Sequence, residues 1–339
     1  MQCGRFVARW RWFALGVGAV ICLAVAFTHA ARAQSAAAIH GASQYGESHV
    51  VTRTLARFEE FVRTYYGKPV EFALHQDASR GLERQYFLGM SQGVGIDYAI
   101  VSPVHMADGS KMARLIEAPF LFRDAAHWNA ALASGAFKSF ADEIAAKADV
   151  MVIGFAGGGV RNVFAAKSVA NAADLKGMKI RVPGAPPWRE TFEAIGMAPS
   201  VVPANAIYNE IKKGALSATE GDMATIESAR LYEVAPYLVP TGHAFAFRPI
   251  CFSAKTFKAL PPDLQEAILK AGIEAAAYGR EIEQAEEAAR LDMLEQQGKL
   301  KRELMDDRAM IKPLADPAIE TYAKEIGTEA LLTAIKAAK

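Results

Sequence analysis

Apolar residues recur along the chain with two alternating periods, which predict helices and strands in turn. In the first predicted helix, the apolar positions share one face because they are spaced by four, three and four residues: Val51, Leu55, Phe58 and Val62. Short runs rich in β-branched and apolar residues predict buried strands at residues 70–74, 96–102, 150–154, 178–182 and 244–253. Helical patterns lie between them at residues 82–90, 124–145, 188–195 and 205–213. This alternation predicts an α/β fold with largely parallel strands.

The longest helical pattern begins at Pro261-Pro262 and continues to Gln297, where Gly298 provides a stop. Its apolar positions alternate in spacing between four and three residues from Leu264 to Ala289. This length is unusual for a globular domain, so we expect the helix to cross between two lobes. No Pro- or Ser-rich linker separates the lobes, and we therefore expect the chain to pass between them several times.

Composition narrows the class of protein. The 339 residues suffice for about two domains of roughly 150 residues each. With 52% apolar and 22% charged residues, the chain has the composition of a folded globular protein, not of a disordered or collagen-like one. One long apolar run, at the very start, excludes a polytopic membrane protein, and the formal net charge of +1 gives no sign of nucleic-acid binding.

Residues 1–33 have the order of regions found in a cleavable signal peptide. Arg5, Arg9 and Arg11 precede an apolar run over residues 12–27, and Ala31-Arg32-Ala33 supplies a small-x-small cleavage pattern. We predict export to the periplasm, with an uncleaved N-terminal membrane anchor as the alternative. Cleavage would remove four arginines and no acid, which changes the formal net charge from +1 to −3.

Motifs for metal or cofactor chemistry are absent from the sequence. Cleavage would leave Cys251 as the single cysteine, which its apolar surroundings predict to be buried. No Cys or His pair has zinc-finger spacing, and H-E-x-x-H is missing. The glycine triplet at residues 157–159 lacks the Gly-Lys-Ser/Thr ending of a phosphate-binding loop, so we interpret it as a turn near the site. We predict no cofactor and no metal.

Several segments, in this order, resemble one family. They are IDYAIVSP at 96–103, APFLFRD at 118–124, DLKGMKIRVPG at 174–184, VP at 202–203, IY at 207–208, GALSATE at 214–220 and LPPDLQ at 260–265. Together they are similar to the periplasmic solute receptors of tripartite ATP-independent periplasmic (TRAP) transporters, the C4-dicarboxylate-binding receptors. The resemblance extends from about residue 40 to the C-terminus.

The resemblance implies a two-lobed periplasmic-binding-protein fold with a cleft between the lobes. The implied first lobe comprises residues 34–157 and about 247–285, and the second comprises residues 158–246 and about 286–339. Such a receptor binds a small organic acid through a carboxylate and delivers it to TRAP membrane subunits for ion-gradient-driven uptake. It is not an enzyme, and we expect a monomer.

Arg181 is the strongest candidate for holding the carboxylate. In a strand, Arg181 points away from its apolar neighbours Ile180 and Val182, and a guanidinium can pair with a carboxylate through two hydrogen bonds. The family resemblance implies the same role. It also implies a second contact from Arg161 and a polar contact from Glu220.

Further candidate ligand-binding residues lie at the ends of predicted strands and in adjacent loops. They are Ser102, His105, Asp77, Gln44, Glu47 and Phe247. Arg248 is interpreted as a hinge or surface residue, with a third positive charge at the site as the alternative. Two positions depart from the family pattern: Ser217 replaces an acid, and Gly221 stands where a ligand-covering Asn or Trp is usual.

Two other functions remain open from the sequence. The same fold can serve as the ligand-binding subunit of a membrane sensor. Alternatively, an exported enzyme acting on an organic acid would need an acid–base pair, for which Glu220 and His105 are the available side chains.

Overall fold

The computed structural model describes residues 38–305, 309 and 311–339. The predicted signal peptide, residues 1–33, lies outside these described residues. Within the described ranges, none of the helices is both long enough and apolar enough to cross a membrane.

A nine-stranded mixed sheet organises the described part of the chain. In chain order, its strands are β1 (Ile39–Ala42), β2 (Phe72–His75), β3 (Tyr98–Ile100), β4 (Val150–Ala165), β5 (Lys179–Val182), β6 (Ala198–Val201), β7 (Ala218–Gly221), β8 (Tyr237–Ser253) and β9 (Lys301–Arg302). Their spatial order is β2-β1-β3-β8-β4-β7-β5-β6, and β9 pairs with β8. The predicted α/β class is confirmed.

The expected parallel arrangement holds in the outer parts of the sheet and where β9 pairs with β8. In the outer parts, β1 pairs in parallel with β2 and β3, and β5 pairs in parallel with β6 and β7. At the centre, β8 is antiparallel to both β3 and β4, and β4 is antiparallel to β7. The prediction of largely parallel strands is therefore wrong at the centre. The long strands β4 and β8 pair with each other in opposite directions along most of their length, from Val150 opposite Ser253 to Ala165 opposite Tyr237.

Both central strands are longer than the sequence predicted. The predicted turn at residues 157–159 is instead an irregular part of β4, where the pairing with β8 shifts register between Gly157 and Val160. Gly157 and Gly158 have φ values of 114° and 108°, which side-chain-bearing residues rarely adopt. The glycines therefore act as a β-bulge within the strand and do not end it.

Twelve α-helices pack against this sheet in the described residues. They are α1 (Val50–Tyr66), α2 (Glu83–Gln92), α3 (Met112–Leu115), α4 (Ala125–Ala133), α5 (Lys138–Ala148), α6 (Pro186–Ala194), α7 (Ile207–Lys212), α8 (Met223–Ser228), α9 (Ala254–Ala259), α10 (Pro262–Gln296), α11 (Lys312–Glu325) and α12 (Glu329–Ala337). The long helix is confirmed as α10. The single helix predicted over residues 124–145 is wrong, because the chain turns at Gly135, with φ of 74°, and forms α4 and α5.

Buried apolar side chains form separate clusters on the two halves of the sheet. One cluster, beside β1 and β3, includes Leu55 and Phe252. Another, beside β5 and β7, includes Ile180 and Trp188. The exact lobe boundaries remain a prediction.

Two segments contribute side chains to clusters on both halves. Along α11, Ala315 packs into the cluster that contains Ile180, whereas Tyr322 packs into a cluster that contains Trp128. The segment between α3 and α4 does the same, since Phe120 and Phe122 belong to these two clusters respectively. The halves are thus joined by hydrophobic packing as well as by the central strands.

Helix α10 lies unusually close to β4 because its contact face carries small residues. A Cβ added to Gly272 would lie 2.7 Å from the carbonyl oxygen of Ile153 in β4. One added to Gly279 would lie 2.7 Å from Thr54 Oγ1 in α1 and 3.0 Å from Ala156 Cβ in β4. Both 2.7 Å distances are shorter than real Cβ contacts. Glycine at these positions therefore fixes the distance between the helix and the centre of the sheet.

We predict that Gly272→Ala lowers the free energy of unfolding by about 1–3 kcal/mol, the usual cost of overpacking a core. In an open helix the same change would stabilise by up to about 1 kcal/mol, so a loss isolates the steric contact. Urea unfolding followed by circular dichroism measures the difference. Gly184→Ala is the control, because its Cβ would meet nothing closer than Val201 Cγ1 at 3.6 Å. A stabilised Gly272→Ala protein would contradict the close packing.

Candidate functional site

A cavity of about 380 Å³ brings together most of the residues that the sequence analysis selected. Eight of the ten candidates line it: Gln44, Asp77, Ser102, His105, Arg161, Arg181, Glu220 and Phe247. The other two, Glu47 and Gly221, do not line it. Glu47 is exposed, and a Cβ on Gly221 would point towards Ile226, with 3.4 Å to Cδ1.

Arg181 reaches the cavity because of the alternation along β5. Ile180 and Val182 are fully buried in the hydrophobic core, and Arg181 lies on the opposite face. Its Nε donates to the carbonyl oxygen of Val202 at 3.0 Å. Among the described residues, neither terminal nitrogen of Arg181 has a hydrogen-bond acceptor. The nearest carboxylate, that of Glu220, is 3.7 Å from Nη1.

Arg161 is held differently, although it lies on a strand close by. Strand β7 separates β4 from β5, so Glu220 of β7 lies between Arg161 and Arg181. Arg161 donates from Nε to Glu220 Oε2 at 2.8 Å and from Nη2 to Oε1 at 2.6 Å. This bidentate pair uses the Nε–Nη2 edge of the Arg161 guanidinium within the protein. The guanidinium also lies 5.2 Å from the ring centroid of Trp188.

Beyond Arg161, charges of alternating sign continue into the protein. Arg161 Nη1 lies 3.8 Å from Asp222, which caps α8 by accepting from the backbone N–H of Thr225. Asp222 in turn lies 3.1 Å from Arg248, and Arg248 donates from Nε to Glu283 of α10 at 3.0 Å. Arg248 is therefore a buried residue, and the interpretation as a surface residue was wrong.

The pKa shifts of the two cavity arginines follow from these neighbours. Burial lowers the pKa of Arg181, and the positive charge of Arg161 lowers it further, while Glu220 compensates only in part. Burial also acts to lower the pKa of Arg161, but the Glu220 and Asp222 carboxylates outweigh it and the net shift is upward. Burial raises the pKa of Glu220, and Arg161 and His243 outweigh this, which brings it to about 2. Arg181 is thus the under-compensated cation of the set.

The facing wall of the cavity is built around two glutamates. Glu117 accepts from Ser102 Oγ at 2.6 Å and from the backbone N–H of Val104 at 2.7 Å. Glu83, on α2, accepts from the backbone N–H of Ser102 at 2.5 Å and from Gln44 Nε2 at 3.1 Å. Ser102, Val104 and Gln44 therefore position Glu117 and Glu83 by hydrogen bonds. The sequence analysis selected Ser102 and Gln44 but neither of the two glutamates.

Burial raises the pKa of Glu117 to about 7, although the hydrogen bond from Ser102 and the positive charge of Arg161 oppose the shift. Its carboxyl group is consequently partly protonated at neutral pH. Phe247 closes the cavity on another side and packs edge-to-face with Phe137 and Phe155 at centroid distances of 5.0 and 5.5 Å. In the described residues, no group of three or more His, Cys, Asp and Glu is placed to hold a metal ion.

The sequence analysis missed Glu117, Glu83, Asp222 and Glu283. Glu117 directly precedes the APFLFRD segment, so its position next to a selected motif was a usable signal. Asp222 follows Glu220 by two residues, and a strand places such residues on the same face. Glu283 gave no such local signal, because its partner Arg248 is 35 residues away in the chain.

Comparison with known proteins identifies relatives over most of the chain. Residues 41–325 match the family described as bacterial extracellular solute-binding protein, family 7. A solute-binding protein of Sulfitobacter sp. strain NAS-14.1 is 41% identical over 307 residues, covering 91% of this chain and 93% of that protein. The 2,3-diketo-L-gulonate-binding periplasmic protein YiaO of Escherichia coli K12 is 25% identical over 305 residues, covering 90% of this chain and 92% of that protein.

The fold agrees with a solved structure of such a protein. A crystal structure of a TRAP periplasmic solute-binding protein from Sulfitobacter sp. NAS-14.1, with bound alpha-D-taluronate, superposes with a TM-score of 0.85 at 41% identity. The similarity covers 88% of this chain and 97% of that one. The predicted two-lobed architecture is thereby confirmed.

We predict that Arg161→Ala destabilises the fold and that Arg181→Ala does not. Removing Arg161 leaves the buried Glu220 without its bidentate partner, which typically costs about 3–5 kcal/mol. Removing Arg181 deletes an under-compensated buried charge, so the free energy of unfolding should change by less than about 1 kcal/mol. Urea unfolding of both variants without ligand compares them directly. Equal losses would show that the two arginines have the same structural role.

Glu117 predicts a pH-dependent stability on the neutral side. Its pKa is 4.5 ordinarily and about 7 in the fold, so between these values the folded state holds more protons than the unfolded state. The free energy of unfolding should therefore fall as pH rises from about 4.5 to about 7, by at most about 1.4 kcal/mol per pH unit. Above that range the contribution should stay constant.

Urea unfolding of ligand-free protein at pH 5, 6, 7 and 8 measures this dependence. In Glu117→Gln the side chain cannot titrate, so the difference in stability between wild type and variant should change across these values. A difference that is independent of pH would contradict the raised pKa.

Proposed function

The chain belongs to family 7 of the bacterial extracellular solute-binding proteins, and from this we propose that its cavity binds a sugar acid through Arg181. The members of this family are solute-binding receptors of TRAP transporters and are not enzymes. A receptor needs affinity, selectivity and release, and no bond in its ligand is made or broken.

The observation that carries this proposal is the state of Arg181. Arg181 lines the cavity and is largely buried, with 15% of its side chain exposed; its nearest carboxylate lies at 3.7 Å, and neither terminal nitrogen has a hydrogen-bond acceptor among the described residues. The cost of removing this charge from water is already part of the folded state. A ligand carboxylate can therefore form two charge-assisted hydrogen bonds, and the desolvation of Arg181 adds no further cost to binding.

Arg161 supports the same carboxylate by its field. Its guanidinium fork is engaged by Glu220, but the side chain still lines the cavity and adds positive charge beside Arg181. Glu220 holds Arg161 in place, and Phe247 offers an apolar surface to the carbon skeleton. The remaining predicted residues, Ser102, His105, Asp77 and Gln44, supply polar groups from the facing wall.

The ligand class follows from the relatives. A structure at 41% identity contains alpha-D-taluronate, a six-carbon sugar acid, and the Escherichia coli relative is named for binding 2,3-diketo-L-gulonate, another six-carbon acid. We therefore assign a hexuronate or a related six-carbon sugar acid to this receptor. The first ligands to examine are D-taluronate, D-galacturonate and D-glucuronate.

The cellular setting of the proposal is that of the family. Residues 1–33 direct export to the periplasm and are then removed. The mature protein is a monomer that closes around its ligand, because only the closed form lets one ligand contact both walls. The β4 bulge at residues 157–159 lies between the two halves and provides a place for bending. TRAP membrane subunits receive the ligand and couple its uptake to an ion gradient.

We predict that Arg181→Ala abolishes most of the affinity for the sugar acid. Breaking a buried, hydrogen-bonded charge pair costs about 2–5 kcal/mol, which corresponds to roughly 30-fold to several-thousand-fold weaker binding. Calorimetric titration of the uronate panel measures the change, and thermal stabilisation checks it independently, since ligand at 100 times Kd stabilises by about 2.7 kcal/mol.

Arg189→Ala is the matched control, because Arg189 is exposed on α6 and close in sequence. It should bind as wild type does. Unchanged affinity in Arg181→Ala would show that the carboxylate is held elsewhere. If no uronate binds to the wild-type protein, the assignment of the ligand class is wrong.

A further inference from the structure

The two walls of the cavity carry opposite charge. The wall from the first part of the chain, between Gln44 and Glu117, contributes the carboxylates of Asp77, Glu83 and Glu117. In the described residues of this wall there is no lysine or arginine, and His105 is the only other titratable side chain besides Tyr45. A ligand bound here therefore meets acceptors and negative charge on this side.

The opposite wall contains three arginines and one carboxylate, Glu220. Arg161 and Arg248 are each within ion-pair distance of two carboxylates, so their charges are largely compensated inside the protein. Arg181 has one, at 3.7 Å. The cavity thus offers one under-compensated cation, Arg181, together with the three carboxylates that the first part of the chain contributes to its lining.

Glu117 is the carboxylate of that wall whose position is best determined. Ser102 Oγ and the backbone N–H of Val104 each donate to one of its oxygens, at 2.6 and 2.7 Å. A carboxylate has about four acceptor positions, so each oxygen retains one for a donor from the cavity. Glu117 and Arg161 line the same cavity, and Arg161 is close enough for its positive charge to act on the pKa of Glu117.

We propose that Glu117 accepts a hydroxyl hydrogen bond from the bound sugar acid and thereby restricts the receptor to ligands with a single carboxylate. This inference rests on the proposed function and adds the substrate subclass and a specificity-determining residue. When Glu117 is ionised, a hydroxyl can donate to it, whereas an ionised carboxylate cannot and would bring a second negative charge into an acidic surrounding. Uronates and aldonates fit this pattern, and aldarates and C4-dicarboxylates do not.

The decisive comparison uses ligands that differ in one terminal group. Within the galacto, gluco and talo series, the aldonate and the aldarate are both open chains with the same configuration at C2 to C5. They differ only at C6, which is a hydroxymethyl group in the aldonate and a second carboxylate in the aldarate. The uronate carries its single carboxylate at C6 and closes a ring through C1. Titration calorimetry at pH 8, above the pKa of about 7 for Glu117, keeps this group ionised in the free protein.

For wild type, we expect at least one uronate or aldonate to bind at least 100-fold more tightly than the aldarate of its series and than succinate or malate. In Glu117→Gln, affinity for that monocarboxylate should fall at least tenfold. Discrimination against the aldarate should narrow at least tenfold. Glutamine can keep its oxygen towards Val104 N–H and turn its amide towards Ser102 Oγ, so the local structure has a way to persist.

Glu47→Gln is the control for loss of one negative charge, because Glu47 is exposed and outside the cavity lining. It should leave both affinities unchanged. If Glu117→Gln does not fold, the wild-type comparison of aldonate, uronate and aldarate still decides the single-carboxylate restriction.

Each contrary outcome has its own meaning. An aldarate or C4-dicarboxylate bound as tightly as the matching monocarboxylate overturns the inference while the receptor function survives. A Glu117→Gln protein with wild-type affinity and discrimination removes Glu117 as the determinant. If the wild-type protein binds no acid of either kind, the inference and the proposed function both fail. In the first two outcomes the wild type does bind, and the loss of that binding in Arg181→Ala shows that the proposed function still holds.

Discussion

The site depends on a buried line of charges whose sign alternates at every step. From the cavity towards helix α10 it runs Arg181, Glu220, Arg161, Asp222, Arg248, Glu283. Each inner member has an opposite charge on both sides, which offsets the cost of removing it from water. At the cavity end, one cation has a single distant partner. Arg161, Glu220 and Arg248 also line the cavity, but each has close partners of opposite charge, so an external anion is stabilised most by Arg181.

The same residue type therefore serves two purposes on β4 and β5, the two strands that flank β7. Arg161 forms a bidentate pair and has a structural role. Arg181 keeps hydrogen-bond donors without a protein acceptor among the described residues, and in the proposed function these donors bind the ligand. This separation lets the receptor fold fully without ligand. The free-energy cost of ordering and desolvating Arg181 arises during folding. Ligand binding therefore requires little rearrangement of that side chain.

Periodic patterns in the sequence predicted the features that depend on neighbouring residues alone, namely side-chain direction in a strand and the presence of a long helix. The alternation around Arg181 predicted its direction, and the four-three spacing predicted the long helix. The pairing of Arg248 with Asp222 and Glu283 could not be found in this way, because it depends on the sheet order and on the position of α10. At the glycines 157–159, the local pattern predicted a turn, but the structure has a bulge within β4. A long strand tolerates such a bulge when its partner strand continues.

Helix α10 carries a constraint of length. Gly272, Gly279 and Glu283 are separated by seven and four residues, so they fall on one face of an ideal helix with 3.6 residues per turn. The glycines set the distance to β4, and Glu283 three turns from Gly272 reaches Arg248. Deleting one residue between them would rotate Glu283 by about 100° away from its partner. Among related sequences, this segment should therefore tolerate substitutions outside Gly272, Gly279 and Glu283 but neither insertions nor deletions, while loops elsewhere vary in length.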